Sequence, residues 1–223
     1  MKETALHDKH VEFGAKMTNF GGWEMPLKFT SITDEHMAVR NKAGIFDVSH
    51  MGELFIQGDN ALKFMSKHCT QNIQESEIGQ IKYAHMLKED GGIIDDTLVN
   101  KLSEDSCYIV PNAGNTDKVY NWLALENDGE EYITNVTNET VMLALQGPEA
   151  EKILQKISEQ DVSEIGFFGS KHLELNDEIM EAFNNDWPMA DKPIVQRSGY
   201  TGEDGFEIAL PNKAGIILWD QLL

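Results

Sequence analysis

Arginine is almost missing from this chain: Arg40 and Arg197 are the only two in 223 residues. The guanidinium is the usual fork for carboxylate and phosphate, so each of the two merits a role. Bases of every kind are scarce, 18 against 38 acids, giving a formal net charge of −20. A surface of that sign repels phosphates and argues against nucleic-acid binding. Only two cysteines occur, Cys69 and Cys107, far apart and in no CxxC pair. They read as two buried thiols rather than a disulfide or zinc site. No apolar run approaches the length of a membrane span. The N-terminus, Met1 to Asp8, lacks the apolar stretch of a signal peptide, which points to the cytoplasm. The histidines show neither HExxH nor HxxxH spacing, so no metal site is expected, and GxSxG and P-loop motifs are absent.

What remains is a globular chain, 41% hydrophobic with a mean hydropathy of −0.38, long enough to bury a real core. Its most informative stretch is Gly91-Gly92-Ile93-Ile94-Asp95-Asp96-Thr97-Leu98-Val99. Two glycines supply a tight turn, and the apolar run reads as a buried strand. Successive strand residues point to opposite faces, so in a regular strand one of the two aspartates turns inward. An unpaired inward carboxylate is costly. The pair is either a functional acid or a solvated turn.

Helical spacing runs from Ser31 to Lys42, with Ile32, His36, Met37 and Val39 as candidates for one face and Ser31 or Thr33 as cap. Two echoes suggest an internal duplication. Phe55-Ile56-Gln57-Gly58 resembles Ala144-Leu145-Gln146-Gly147, each followed by a helix. Tyr108-Ile109-Val110-Pro111-Asn112 resembles Ile208-Ala209-Leu210-Pro211-Asn212, each followed by a helix carrying a Trp. The expected architecture is α+β, with mostly antiparallel sheets and packed helices. Residues 174–191 contain six acids and no Lys or Arg and read as a solvated excursion. The final helix, Ile216 to Leu223, lacks a cap or polar tail, which reads as the N-terminal piece of something longer.

The stretch Arg197-Ser198-Gly199-Tyr200-Thr201-Gly202-Glu203-Asp204-Gly205-Phe206-Glu207 is a glycine-rich loop that restarts a strand. It is either a plain hairpin or a backbone wall against a flat ligand. Together with Gly22 to Pro26, Phe46 to Gly52, Gly91 to Asp96 and Gln146-Gly147-Pro148, it resembles the T-protein family of the glycine cleavage system. These are tetrahydrofolate-dependent aminomethyltransferases.

The resemblance implies duplicated folate-binding subdomains, residues 1–52 with 140–223 and residues 53–139, and a C-terminal barrel domain missing from this chain. It implies a partner, the lipoyl-bearing H-protein, whose aminomethyl carbon passes to N5 of tetrahydrofolate with release of ammonia. It also implies a site. Asp96 is the catalytic carboxylate, turned inward near folate N10, with Asp95 structural. Glu207 grips the pterin, and Met51, Tyr83, Val110, Asn112 and Tyr200 line the same pocket. Two alternatives stay open: another folate-dependent one-carbon enzyme such as a demethylase, or a non-catalytic folate-binding protein of iron–sulfur repair.

Overall fold

The computed structural model describes residues 1–183 and 187–223. The chain divides into two compact units, residues 1–50 with 138–223 and residues 51–137. The first unit opens with α1 (His7–Glu12), the hairpin of β1 (Lys16–Phe20) and β2 (Trp23–Lys28), α2 (Ile32–Asn41) and β3 (Gly44–Asp47). The second unit holds β4 (Leu54–Gln57), α3 (Ala61–His68), β5 (Ile81–Leu87), β6 (Ile93–Lys101), β7 (Ser106–Pro111), α4 (Thr116–Glu126) and β8 (Tyr132–Asn135). The chain then returns to the first unit with β9 (Thr140–Gln146), α5 (Ala150–Gln155), β10 (Ser170–His172), α6 (Asp177–Glu181), β11 (Ile194–Gln196), β12 (Gly205–Pro211) and α7 (Asn212–Leu222).

Each unit is built on a five-stranded antiparallel sheet. The order is β10-β11-β12-β9-β3 in the first and β5-β6-β7-β4-β8 in the second. Four strands coincide in order, β10-β11-β12-β9 with β5-β6-β7-β4, so the duplication is present in the topology, while the last edge strand comes from before the repeat in one copy (β3) and from its end in the other (β8). The fold is the α+β arrangement expected, with helices on one sheet face. In the second unit that face buries Leu54, Ile56, Val99, Cys107 and Ile109 against Ala61, Leu62 and Met65 of α3 and Val119 and Leu123 of α4. Each Leu- or Ile-sized side chain so buried stabilises by ~1.5–3 kcal/mol. In the first unit α7 presses so closely on β9 that a Cβ at Gly215 would lie 2.3 Å from Val141.

One echo holds and the other slips. Gln57-Gly58 and Gln146-Gly147 occupy the same strand end. In the second pair, however, Leu54 faces Ile109 while its counterpart Leu143 faces Ile208. Ile109 therefore answers to Ile208, not to Ala209. A slip of one residue exchanges the two sheet faces, which is why the apparent match across Pro111 and Pro211 misleads.

Two local expectations are also corrected. Ser31 caps α2, accepting from the Asp34 amide, but only Val39 of the proposed face is buried. Ile32 is 62% exposed and Met37 48%. Residues 174–191 are not merely solvated, because they contain α6 and bury Ile179, Phe183, Trp187 and Met189. The Trp187 indole donates to the Thr140 hydroxyl, and Asp186 of that stretch lies outside the described residues. Cys69 and Cys107 are buried free thiols. Among the described residues no helix is long and apolar enough to cross a membrane.

Candidate functional site

The glycine turn does start β6, but the strand is irregular where it matters. Met86 faces Asp95 and Leu87 faces Ile93, so Ile94 is an extra residue opposite β5. A bulge of this kind re-aims the side chains that follow it. Ile94 and Asp95 are both buried, at 4% exposure, while Asp96 is half-buried on the opposite face. The resemblance turns Asp96 inward, but it is Asp95 that is buried, because Ile94 is an extra residue opposite β5.

Asp95 is fully occupied. It accepts from the Asn112 backbone at 2.9 Å, the Asn112 amide at 3.0 Å and the Asn115 amide at 2.6 Å. Those donors belong to residues 112–115, the connection between β7 and α4. Asp95 therefore ties the end of β6 to the start of the helix. Charge-assisted bonds of this sort contribute about 1.5–3 kcal/mol each.

Asp96 stands on the face away from the helices. One oxygen accepts from the Tyr83 hydroxyl at 2.8 Å and the other from the Asn112 amide at 3.2 Å. His85 lies directly across the ladder, and its ring meets the Tyr83 ring edge-on at 5.5 Å. Leu98 faces both Tyr83 and Val110 across its neighbouring strands, so Tyr83, Asp96 and Val110 share one face. Asn112 directs its amide hydrogens to Asp95, the Asp96 carbonyl and the Asp96 carboxylate. Its side-chain oxygen has no partner among the described residues and is left as an acceptor. Met51 sits in the loop before β4, where the adjacent Gly52 amide bonds the Pro111 carbonyl at 2.8 Å.

In the first unit Glu207 lies on β12, on the face away from α7, opposite Ala144 and Gln196. It is half-buried and accepts the Ser198 hydroxyl. Burial pushes its carboxyl above the usual carboxylate range, and the Ser198 hydroxyl only partly offsets that. The glycine-rich loop is held from below by Gln146, which donates to the Ser198 carbonyl at 2.9 Å and accepts from the Thr201 hydroxyl at 2.8 Å. Gly199, at φ +157°, passes directly over that side chain: a Cβ would fall 2.0 Å from the Gln146 carbonyl oxygen.

Both arginines serve this loop. Arg40 donates to the Thr201 carbonyl at 2.7 Å and pairs with Glu203 at 2.8 Å. Arg197 forks onto Asp204, donates to the Ile165 carbonyl, pairs with Glu151 and lies over the Phe206 ring. Tyr200 is not packed with the rest. Anchors on either side leave it at the loop tip, 98% exposed.

A family model described as the GCVT N-terminal domain matches residues 6–223. The chain belongs to this GCVT family. Relatives named aminomethyltransferase, from Bacillus cytotoxicus and Bacillus cereus, are each 42% identical over the whole chain. The chain spans 58% of the length of those relatives. The solved structure of glycine cleavage system aminomethyltransferase T from Bartonella henselae matches all of this chain and 57% of its own, at 34% identity and TM-score 0.87. A heterotetrameric sarcosine oxidase from Corynebacterium matches 85% of this chain and 90% of its own. Its identity is 14% and its TM-score 0.55, which shows a shared fold alone.

The sequence reading of this GCVT chain missed several residues. Asn115 and Ser198 complete the two carboxylate settings, yet only contacts across strands and loops reveal them. A buried pair, His10 and Asp47 at 2.8 Å, was equally invisible. Burial would raise the Asp47 carboxyl, but bonds from His10, Ser49 and Thr4 hold it below the usual range. Glu3, His7 and Glu24 bring ligand-type atoms within 4.8 Å of one another from separate segments.

Proposed function

We propose that this chain carries the folate-handling part of an aminomethyltransferase of the glycine cleavage type. It moves the aminomethyl carbon from the lipoyl group of H-protein to tetrahydrofolate and releases ammonia. The observation that carries the reading is Asp96, a half-buried acid steered by Tyr83 and Asn112 rather than neutralised by a base among the described residues. Tetrahydrofolate, the co-substrate, supplies the nitrogen that takes the one-carbon unit.

The residues present suit such a ligand. A half-desolvated carboxylate at Glu207 accepts from the amine and N–H groups of a flat ring, and Ser198 fixes which oxygen faces it. Asn112 offers a carbonyl acceptor. Asp96 opposes positive charge that develops on an alkylated nitrogen and can accept its proton. The Tyr83 hydroxyl keeps that carboxylate in one orientation, while Val110 and Met51 give apolar contact. Tyr200, exposed at its loop tip, can add a ring wall only by moving. H-protein is the partner, and the cytoplasm is the compartment we propose.

The test is a turnover assay. Protein expressed from its complete gene is mixed with aminomethyl-loaded H-protein, with and without tetrahydrofolate. The reading predicts methylenetetrahydrofolate and ammonia in equal amounts, dependent on folate. Failure to release ammonia under those conditions overturns it.

A further inference from the structure

Gln196 holds a polar group that its own unit does not satisfy. It is the last residue of β11 and is 1% exposed. Both amide atoms, Oε1 and Nε2, are buried, and neither has a hydrogen-bond partner among the described residues. An unpaired buried amide is among the costlier features a fold retains, and in native proteins such a group calls for a reason.

Its place in the sheet suggests one. Gln196 faces Glu207 directly across the β11–β12 ladder, so the two side chains rise from the same face with Cβ atoms roughly 5 Å apart. Glu207 engages Ser198 through Oε2, and its Oε1 has no partner among the described residues. The same-face neighbours Ile194, Ala209 and Ala144 are apolar and buried, and Ser170 of β10 faces Gln196 from its other side. A buried donor and acceptor thus stand beside a half-buried carboxylate among mostly apolar neighbours. A planar amide with both atoms free is the group that pairs with the adjacent donor and acceptor edge of a nitrogen heterocycle.

We propose that Gln196 is a second ligand-contacting residue beside Glu207, pairing with the N–H and C=O edge of the flat heterocycle whose amine edge Glu207 binds. This rests on the reading that Glu207 holds the ring of tetrahydrofolate. In the ligand-free chain the amide is an uncompensated burden, and in the complex it is a specificity determinant. Sites that hydrogen-bond a substrate reject analogues lacking the group far more strongly than apolar pockets do.

The two roles separate by experiment. Gln196→Leu and Gln196→Met remove the amide at similar volume. Each is followed by a thermal melt without ligand and by calorimetric titration with tetrahydrofolate, using protein from the complete gene. The proposal expects melting at or above the parent value, because an orphan amide is gone, with affinity weakened roughly ten- to hundredfold. Parent-like affinity in both variants overturns it. So does a lowered melting temperature with unchanged affinity, which marks an amide bridged by buried water. Glu207→Gln separates the levels: if it weakens binding and the Gln196 variants do not, Gln196 alone is misassigned. If the parent protein takes no tetrahydrofolate, the functional reading fails, and this proposal with it.

Discussion

The two sheets share the order of four strands but differ in what they do with their polar residues. In the second unit, four residues, 112–115, intervene between β7 and α4, and they receive the Asp95 carboxylate. In the first unit β12 runs through Pro211 straight into α7 at Asn212, and no loop is available to hold an acid. Asn100 and Gln196 occupy equivalent positions, one opposite Tyr108, the other opposite Glu207. In the second unit the Tyr108 phenol donates to Glu53. In the first unit the position holds a desolvated carboxyl and an orphan amide. The common frame therefore supplies the core, and the polar settings are where the copies diverge. A comparison within the first unit adds a second lesson. Asp47 and Glu207 are both removed from water, yet their acidities shift in opposite directions. Three donors surround Asp47, whereas Glu207 has a single hydroxyl. The first carboxylate is satisfied by the fold, and the second is met by one hydroxyl alone.

The largest effect that sharpens this contrast belongs to Asp96. Asp96→Asn keeps the shape and removes the charge, and steady-state methylenetetrahydrofolate formation should fall by about 10²–10⁴, or ~3–5 kcal/mol. Asp95→Ala should act on the fold instead. It leaves three donors of residues 112–115 unpaired, and urea denaturation should report a loss of roughly 2–4 kcal/mol. Gly199→Ala comes next, since its new methyl group collides with Gln146. A loss of about 1–3 kcal/mol is expected, with faster proteolysis confined to residues 198–205.

The smallest effects are in pH dependence, and their signs differ. Asp47 has a depressed folded pKa, so its stabilisation is complete above the unfolded value of ~3.9 and is lost as pH falls through the folded one. Asp47→Asn should remove that acid-side loss from melts recorded below about pH 4. Glu207 has a raised folded pKa, so its contribution is full below the unfolded value and is lost as pH rises through the folded one. Glu207→Gln should therefore stabilise the chain at neutral pH, with the gain vanishing toward acid. If the two variants respond alike, the contrast between structural and ligand-facing carboxyls is wrong.

Much of this was legible in the residues. Glycines at 91, 92, 199 and 202 marked the turns, and Gln-Gly before a helix marked the strand ends of both copies. The density of motifs around Asp96 and Glu207 pointed to the same two places that the fold furnishes with polar groups. The failures share one physical cause. Strand faces are read by counting in twos, and one residue out of register inverts every answer. The slipped echo did this to Ile109 and Ala209, and the bulge at Ile94 would defeat any such count through Asp95 and Asp96. Nor does a linear sequence show which donors a buried acid will find, so the partners of Asp95, Asp47 and Glu207 emerged only from packing. The exposed Tyr200 is a different case: its motif names a role, but its anchoring neighbours decide where the ring stands.

The central claim is that adjacent carboxylates divide their labour, Asp95 holding the strand end and Asp96 facing the reaction. It is tested most directly by crossing two readouts on Asp95→Asn and Asp96→Asn. Turnover with aminomethyl-loaded H-protein and the urea midpoint are measured for both variants and the parent. The account predicts that Asp95→Asn lowers the midpoint and retains most of the turnover per folded molecule. Asp96→Asn should hold the midpoint within ~0.5 kcal/mol of the parent and lose turnover by at least a hundredfold. The reverse pattern, with Asp95→Asn stable but inactive and Asp96→Asn active but unstable, would contradict it.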